Sequence, residues 1–307
     1  MSFSAPETSG GTAQTNDHRR RPAEHCLPSG AIRAVIRVNR DKLLRISNLP
    51  RGPSAAPSIL LALAACASVP HGVDPRLVQP ERPSVATHAG TVAPGFLEIE
   101  TGIESDRDAD GTHALIVPTV LKLGVAPTAQ LSLFVPAARA TGVSLGFGDV
   151  GVGVKWRLTA GDGPLQRFAI LPAITTATGG DRGTHTTALG ILLIDSRSIG
   201  PVSLDLNVGL TRRSGDGSNA PRTATLWTAS SAVPVGPLGW QLECFGSPGT
   251  HGPAGSAPTV AILAGPTLGI SRTLAIDAGV ILPVAGPQPR AVYAGIVTNV
   301  GRILPQR

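Results

Sequence analysis

The feature that most constrains this chain is a series of twelve runs of 10–13 residues in which apolar residues alternate with polar or small ones. A period of two puts successive side chains on opposite faces of an extended backbone, so each run predicts a β-strand. In GFGDVGVGVKWRL (146–158), Val152 and Val154 alternate with Gly153 and Lys155. The predicted strands are 95–105, 112–123, 128–138, 147–158, 165–176, 185–197, 200–212, 222–234, 237–246, 257–269, 272–283 and 290–300.

The same stretch begins with G-x-G-x-x-G, the spacing of a dinucleotide-binding turn. That fingerprint needs a strand before the glycines and a helix after them. Here the residues after Gly151 keep alternating with a period of two, and Gly153 would weaken a helix. We therefore interpret the stretch as a strand and predict no dinucleotide or other cofactor.

The lengths of the runs and of the breaks between them distinguish two all-β architectures, a sandwich and an outer-membrane barrel. Runs of 10–13 residues suit tilted membrane strands better than globular strands, which have about 5–6 residues. The breaks alternate in length, as short turns at one end of a barrel and longer loops at the other would produce. The long breaks are 106–111, 139–146, 177–184, 213–221, 247–256 and 284–289, and the short ones are 124–127, 159–164, 198–199, 235–236 and 270–271. We predict an all-β fold, a closed antiparallel transmembrane β-barrel of about 12 strands.

In such a barrel the polar face of every strand lines the lumen and the apolar face contacts lipid. The predicted lumen-lining residues are Glu98, Glu100, Asp149, Lys155, Arg157, Asp205, Asn207, Glu243 and Asp277. Two interpretations of these side chains remain open. They brace a narrow barrel through ion pairs between neighbouring strands, which we favour, or they line a polar pathway for a solute.

The chain ahead of the predicted barrel (93–304) divides into three segments. Residues 1–57 are polar and Arg-rich, which predicts a disordered leader. Because a polar leader of this length is unusual ahead of a signal peptide, we expect the natural start to lie later, between about Val38 and Leu44. Met1 is the only methionine, so that start would be a non-ATG codon, and most of the leader would not be translated. Residues 58–67, SILLALAACA, have the short apolar core of a signal peptide. Residues 68–92 are predicted to be a periplasmic linker or a plug.

Two cleavage sites are compatible with the signal-peptide core. Ala65-Cys66-Ala67 fits an A-x-A site for ordinary cleavage. The residues ending at Cys66 also fit a bacterial lipobox, which would leave a lipidated Cys66 as the mature N-terminus. The predicted location in either case is the bacterial outer membrane, with outer-membrane lipid as a partner.

Charge and residue spacing exclude several other functions. Residues 1–57 carry nine Lys/Arg and four Asp/Glu, whereas residues 58–307 carry seventeen and sixteen, so the basic charge belongs to the leader and nucleic acid is not a predicted partner. No two histidines are spaced for a shared metal, and DRDADG (106–111) lacks the glutamate that an EF-hand loop needs at its twelfth position, Val117. No nucleophile motif is present, so we expect neither a metal site nor an enzyme.

Three of the runs carry motifs of a known family. Gly148, Asp149, Gly153, Lys155, Arg157 and Leu158 match a G-D-x-x-x-G-x-K-x-R-L strand. Glu243 with Gly246, and Asp277 with Gly279, match two later strands of the same pattern. The chain thereby resembles, over roughly residues 93–300, the outer-membrane family named for the meta-pathway of phenol degradation. It departs from the family at its end, GRILPQR, where members carry an aromatic residue.

The resemblance implies an outer-membrane channel or transporter for small molecules, hydrophobic or aromatic ones in particular. A second hypothesis is a non-conducting structural or surface barrel, lipid-anchored at Cys66. The lumen distinguishes the two hypotheses, because a plug formed by residues 68–92, or a lumen filled with charge pairs, would favour the second.

Overall fold

The structure is a computed structural model that describes residues 74–305 except 141–143, 160 and 162–165. In these residues, fifteen antiparallel strands form one continuous sheet, and a 3-10 turn spans Gly180–Arg182. The strands are β1 (Phe96–Arg107), β2 (His113–Val117), β3 (Thr119–Ala126), β4 (Ala129–Phe134), β5 (Ala137–Ala140), β6 (Gly146–Phe147), β7 (Gly151–Arg157), β8 (Arg167–Thr175), β9 (Ala188–Ile199), β10 (Val202–Arg213), β11 (Thr223–Val235), β12 (Leu238–Ser247), β13 (Thr259–Ser271), β14 (Leu274–Ala285) and β15 (Arg290–Arg302).

The sheet closes on itself because β15 pairs with β1 along its whole length, from Phe96 opposite Arg302 to Arg107 opposite Arg290. The fifteen strands occupy twelve positions in the wall, since β2 with β3, β4 with β5, and β6 with β7 each share one position. Pro118 separates the first pair and Pro136 lies within the second break, and proline has no N–H to donate to a ladder. The prediction of a closed barrel of about twelve strands is confirmed, with one predicted run at each position.

The connections give the barrel two unlike ends. One end, which we name the short-turn end, carries the connections 127–128, 158–166, 200–201, 236–237 and 272–273. The other, the long-loop end, carries 108–112, 141–145, 176–187, 214–222, 248–258 and 286–289. Positive φ angles at Gly200 and Gly236 allow two of the four two-residue turns at the short-turn end. The alternation of break lengths seen in the sequence therefore corresponds to the two ends of one up-and-down barrel, with one exception. The connection 158–166, at the short-turn end, is longer than 108–112 or 286–289 at the other end.

The outside of the wall is apolar and its inside is charged. Val208, Leu242 and Leu282 are 53%, 56% and 51% exposed, whereas Lys122 and Lys155 are both 0% exposed. A sandwich in water would bury the first set and expose the second. The barrel therefore presents its apolar face to lipid, as outer-membrane barrels do. Among the described residues, no helix has the length and apolarity needed to cross a membrane.

The residues that precede β1 lie inside the barrel. Residues 74–92, which we name the inner segment, have no strand assignment and contact inward-facing side chains from strands all around the wall. Residues 1–73, which include the predicted leader, the signal-peptide core and Cys66, lie outside the described residues.

We predict that Val208→Arg destabilises the barrel by about 2–4 kcal/mol, because Val208 lies on the lipid face at the middle of β10. Val208→Leu, which keeps the position apolar, is the matched control and should differ little from the parent. The measurement is unfolding by denaturant in lipid vesicles, followed by the mobility difference between unheated and boiled samples on a gel. Equal stability of the two variants would contradict a lipid-facing Val208.

Candidate functional site

The inner segment is held mainly through its backbone amides. Gln79 N–H donates to Glu98 Oε2 at 2.8 Å, and Glu81 N–H donates to Glu100 Oε1 at 2.8 Å. Both acceptors lie on the inward face of β1 and are two residues apart. The two donors are likewise two residues apart along the inner segment. Hydrogen bonds to a carboxylate are roughly twice as strong as those between neutral groups.

Further along the inner segment, Glu243 of β12 accepts three hydrogen bonds. Val85 N–H donates to Glu243 Oε2 at 3.1 Å and Ala86 N–H to Oε1 at 2.9 Å, while the Ser84 hydroxyl contacts Oε2. Glu243 is fully buried, so its charge needs such donors in place of water. Within the described part of the chain, this carboxylate accepts the most hydrogen bonds from the inner segment.

The remaining amide contacts go to neutral side chains. Thr87 N–H donates to Asn207 Oδ1 at 2.7 Å, and Asn207 Nδ2 donates back to Thr87 O at 3.0 Å. Ala89 N–H donates to Ser196 Oγ at 2.8 Å and Val92 N–H to Gln130 Oε1 at 3.0 Å. The wall is closed, so an extended segment in the lumen has no strand edge to pair with, and inward-facing side chains accept its amides instead.

Two buried lysines link the wall and the inner segment. Lys122 Nζ lies 2.5 Å from Glu98 Oε1 and 2.5 Å from Glu100 Oε1, on the neighbouring strand β1. Lys155 Nζ forms an ion pair with Glu81 of the inner segment and donates to His88 O at 3.1 Å. Buried charges persist only when paired, so Lys155 depends on the inner segment for its partner.

Arg82 occupies a slot formed by two glycines. Gly102 of β1 and Gly295 of β15 are directly opposite each other in the wall. A Cβ added at Gly295 would lie 2.4 Å from Arg82 Nε, and one at Gly102 would lie 2.4 Å from Arg82 Nη2. The guanidinium also pairs with Asp277 Oδ2 at 3.5 Å. Only glycine at both positions leaves room for the arginine.

The inner segment is also fixed where it enters at the short-turn end. Val78 N–H donates to Arg272 O at 3.0 Å, and Arg272 Nη1 lies 3.2 Å from Asp74 Oδ2. The Arg76 N–H that bonds Asp74, together with Arg272, holds the pKa of the Asp74 carboxyl below its ordinary value. This contact is therefore fully present at neutral pH and is lost only as the pH falls through that lowered pKa.

The structure brings together six of the nine residues predicted to line the lumen. Glu98, Glu100, Lys155, Asn207, Glu243 and Asp277 all contact the inner segment. Asp205 lies one step away, because it accepts a hydrogen bond from Ser196 Oγ at 2.5 Å.

Two of the nine serve the ends of the barrel. Asp149 accepts from Gly179 N–H at 2.9 Å and from Thr184 N–H at 2.7 Å, so it fixes a loop at the long-loop end. Arg157 Nη2 donates to Pro127 O at 2.9 Å at the short-turn end.

Sequence reasoning missed Lys122, Glu81 and Arg82. Lys122 alternates with Leu121 and Leu123, so the period-two pattern that found Lys155 could also have found it. Glu81 and Arg82 lie in a segment without periodicity, and no local signal distinguishes them from residues of a solvated linker.

A cavity of about 220 Å³ lies between the inner segment and the long-loop end, and we name it the chamber. Its wall is mostly apolar, and the inner segment forms its floor. The hydroxyl of Thr87 lies in this floor, buried, and has no hydrogen-bond partner among the described residues. Representative lining residues are Val85, Phe134, Leu171, Leu192, Phe245 and Tyr293.

Comparisons with known proteins show similarity in fold. No family model matches the sequence, and no curated protein matches it. The structure is similar to the COG4313 outer membrane channel from Pseudomonas putida F1, with a TM-score of 0.56 and 12% identity over 72% of this chain and 99% of that chain. The KdgM porin (TM-score 0.46, 11% identity) and the NanC porin (TM-score 0.44, 12% identity) each cover 66% of this chain and 98% of their own.

At these identities the similarity establishes the fold alone, that of an outer-membrane β-barrel. No family model confirms the phenol-degradation family that the motifs resemble, so that resemblance stays a prediction.

We predict that Gly295→Ala displaces the inner segment, because the nearest atoms to the added Cβ all belong to Arg82. The reporter is the thiol introduced by Ala89→Cys, at a position that is 0% exposed, in a chain whose three natural cysteines are replaced by alanine. Labelling by a water-soluble maleimide should be at least about tenfold faster with Gly295→Ala.

The matched control is Gly295→Ala combined with Arg82→Ala, which removes the atoms that collide. If the collision with Arg82 causes the displacement, labelling in this double variant should fall back toward that of Arg82→Ala alone. Unchanged labelling on Gly295→Ala would show that the slot does not hold the segment.

Proposed function

We propose that this protein is a channel of the bacterial outer membrane for small, predominantly apolar or aromatic molecules, without catalytic activity. The observation that carries the proposal is the chamber, a mostly apolar space inside a barrel whose outer face is suited to lipid. The solute class also follows the family resemblance of the sequence. Its partners would be outer-membrane lipid and the solute, and nucleic acid has no role.

The size and lining of the chamber support the solute class. An apolar cavity of roughly 150 Å³ accommodates benzene, and the chamber measures about 220 Å³. Phe134, Phe245 and Tyr293 contribute aromatic surface. Charged side chains also line the chamber, among them Glu81, Arg82 and Glu100. These features suit a ring compound that carries a polar group, because small-molecule sites combine a mostly apolar lining with a few polar groups.

The inner segment decides whether a solute can pass. It fills the lumen between the chamber and the short-turn end, where it makes ion pairs with Lys155 and Asp277. The channel function therefore requires that the inner segment leave or shift. The chain described here is in a closed state.

The same observation favours a second candidate, a non-conducting structural or surface barrel. A lumen filled by a plug and by charge pairs is what that hypothesis predicts. Lipid anchoring at Cys66 belongs to this candidate, and Cys66 lies outside the described residues. Conductance separates the two functions.

We predict that a disulfide between the inner segment and the wall abolishes conductance reversibly. Ala89 packs against Ala169 of β8, and both are fully buried, so Ala89→Cys/Ala169→Cys places two thiols together. In planar bilayers the reduced variant should show channel openings and the oxidised one should be silent. Val78→Cys/Ala275→Cys, at a separate contact, is an independent second lock. Absence of conductance in both redox states of both variants would support the non-conducting barrel instead.

We predict that Gly190→Leu abolishes binding of an aromatic probe such as 1-naphthol. Gly190 lines the chamber, and the nearest atom to an added Cβ is 3.6 Å away, so the larger side chain fits and fills the space. Gly190→Ala adds only a methyl group and should bind the probe within about twofold of the parent. Fluorescence titration in detergent measures both. Undiminished binding to Gly190→Leu would place the probe outside the chamber.

A further inference from the structure

The wall contacts the inner segment mainly through the backbone amides of the segment and less through its side chains. Seven of its amides, those of residues 79, 81, 85, 86, 87, 89 and 92, donate to side chains of the wall. Their six acceptors come from β1, β4, β9, β10 and β12. A lumen that merely held water would not need side-chain acceptors matched to the amides of one backbone segment.

Side-chain requirements are concentrated at a few positions of the segment. Glu81 meets Lys155, and Arg82 meets the glycine slot and Asp277. Between the other contacts the segment carries small residues, and Ala86 and Ala89 are 3% and 0% exposed. The wall thus contacts an acidic–basic pair and the backbone of a following stretch that is rich in small residues.

We infer that the interior of this barrel is a binding site for a polypeptide segment, and that the inner segment is its occupant in cis. A separate peptide with the same pattern binds there when the inner segment is displaced. An uncharged polymer does not fit the same contacts, because it would leave Lys155 without a carboxylate and Asp277 without a cation. This inference concerns the segment's site and holds whether or not the chamber carries apolar solutes.

The test uses the full chain with a weakened inner segment. Arg82→Glu puts a carboxylate beside Asp277, and Ala86→Pro removes an N–H that Glu243 accepts. Both substitutions lie outside the strands of the wall, so the sequence of the barrel itself is unchanged. Release of the segment is read from maleimide labelling of the thiol introduced by Ala89→Cys in the same chain.

The ligand is a fluorescein-labelled synthetic peptide of residues 79–92, QPERPSVATHAGTV. Fluorescence anisotropy should show that it binds the Arg82→Glu/Ala86→Pro protein. The oxidised Ala89→Cys/Ala169→Cys protein, whose site is occupied, should bind it at least about tenfold more weakly. The matched control is the same peptide with Arg82→Glu, which should also bind at least about tenfold more weakly, because it cannot pair with Asp277.

Three results would overturn the inference. The first is failure of the peptide to bind a protein in which maleimide labelling has shown that the inner segment is released. The second is equal binding to the locked protein, which would place the peptide elsewhere. The third is retention of the inner segment in the doubly substituted protein, which would show that these contacts do not hold it. Conductance plays no part in any of them, so failure here is separable from failure of the channel proposal.

Discussion

The need to satisfy every backbone N–H and C=O group in lipid governs this structure. Water is absent from the hydrocarbon layer, so a sheet can cross it only as a closed barrel without edges. β15 meets this need by pairing with β1 from Phe96 to Arg107. The same need reappears inside. Closure leaves no strand edge for the inner segment to pair with. Inward-facing side chains such as Glu98, Asn207 and Glu243 accept hydrogen bonds from its backbone amides instead.

Charge pairing makes the wall and the inner segment one electrostatic unit. Lys122 has carboxylates within its own wall, whereas Lys155 takes its carboxylate from Glu81 of the inner segment. Asp277 in turn takes its cation from Arg82. Removing the inner segment would leave one lysine and one aspartate uncompensated, although water entering the lumen would then hydrate both. The segment is therefore held tightly in a dry lumen and more weakly in a wet one, which is the behaviour a displaceable plug requires.

The lumen is divided by polarity along the barrel axis. Toward the short-turn end it is filled by the inner segment and its polar contacts. Toward the long-loop end it opens into the chamber, where Phe134, Leu192 and Phe245 contribute apolar surface. Val85 and Thr87 belong to both regions, since they bond to the wall and form the chamber floor. A solute in the chamber would thus touch the residues that close the passage.

The sequence by itself determined the wall. Period-two alternation identified all twelve positions, break lengths separated the two ends, and the faces of residues such as Val152 and Lys155 followed from the pleat. These are local properties that each strand carries alone. Residues 74–92 have no such period, because their partners come from distant strands and are set by the closure of the barrel. The tertiary structure alone decided that Arg82 lies between Gly102 and Gly295, that Asp149 bonds a loop rather than the lumen, and that the interior has an occupant. In the sequence, a glycine within a strand indicates only a residue that weakens the strand. The closure of the wall sets Gly102 opposite Gly295, and only this pairing forms the slot.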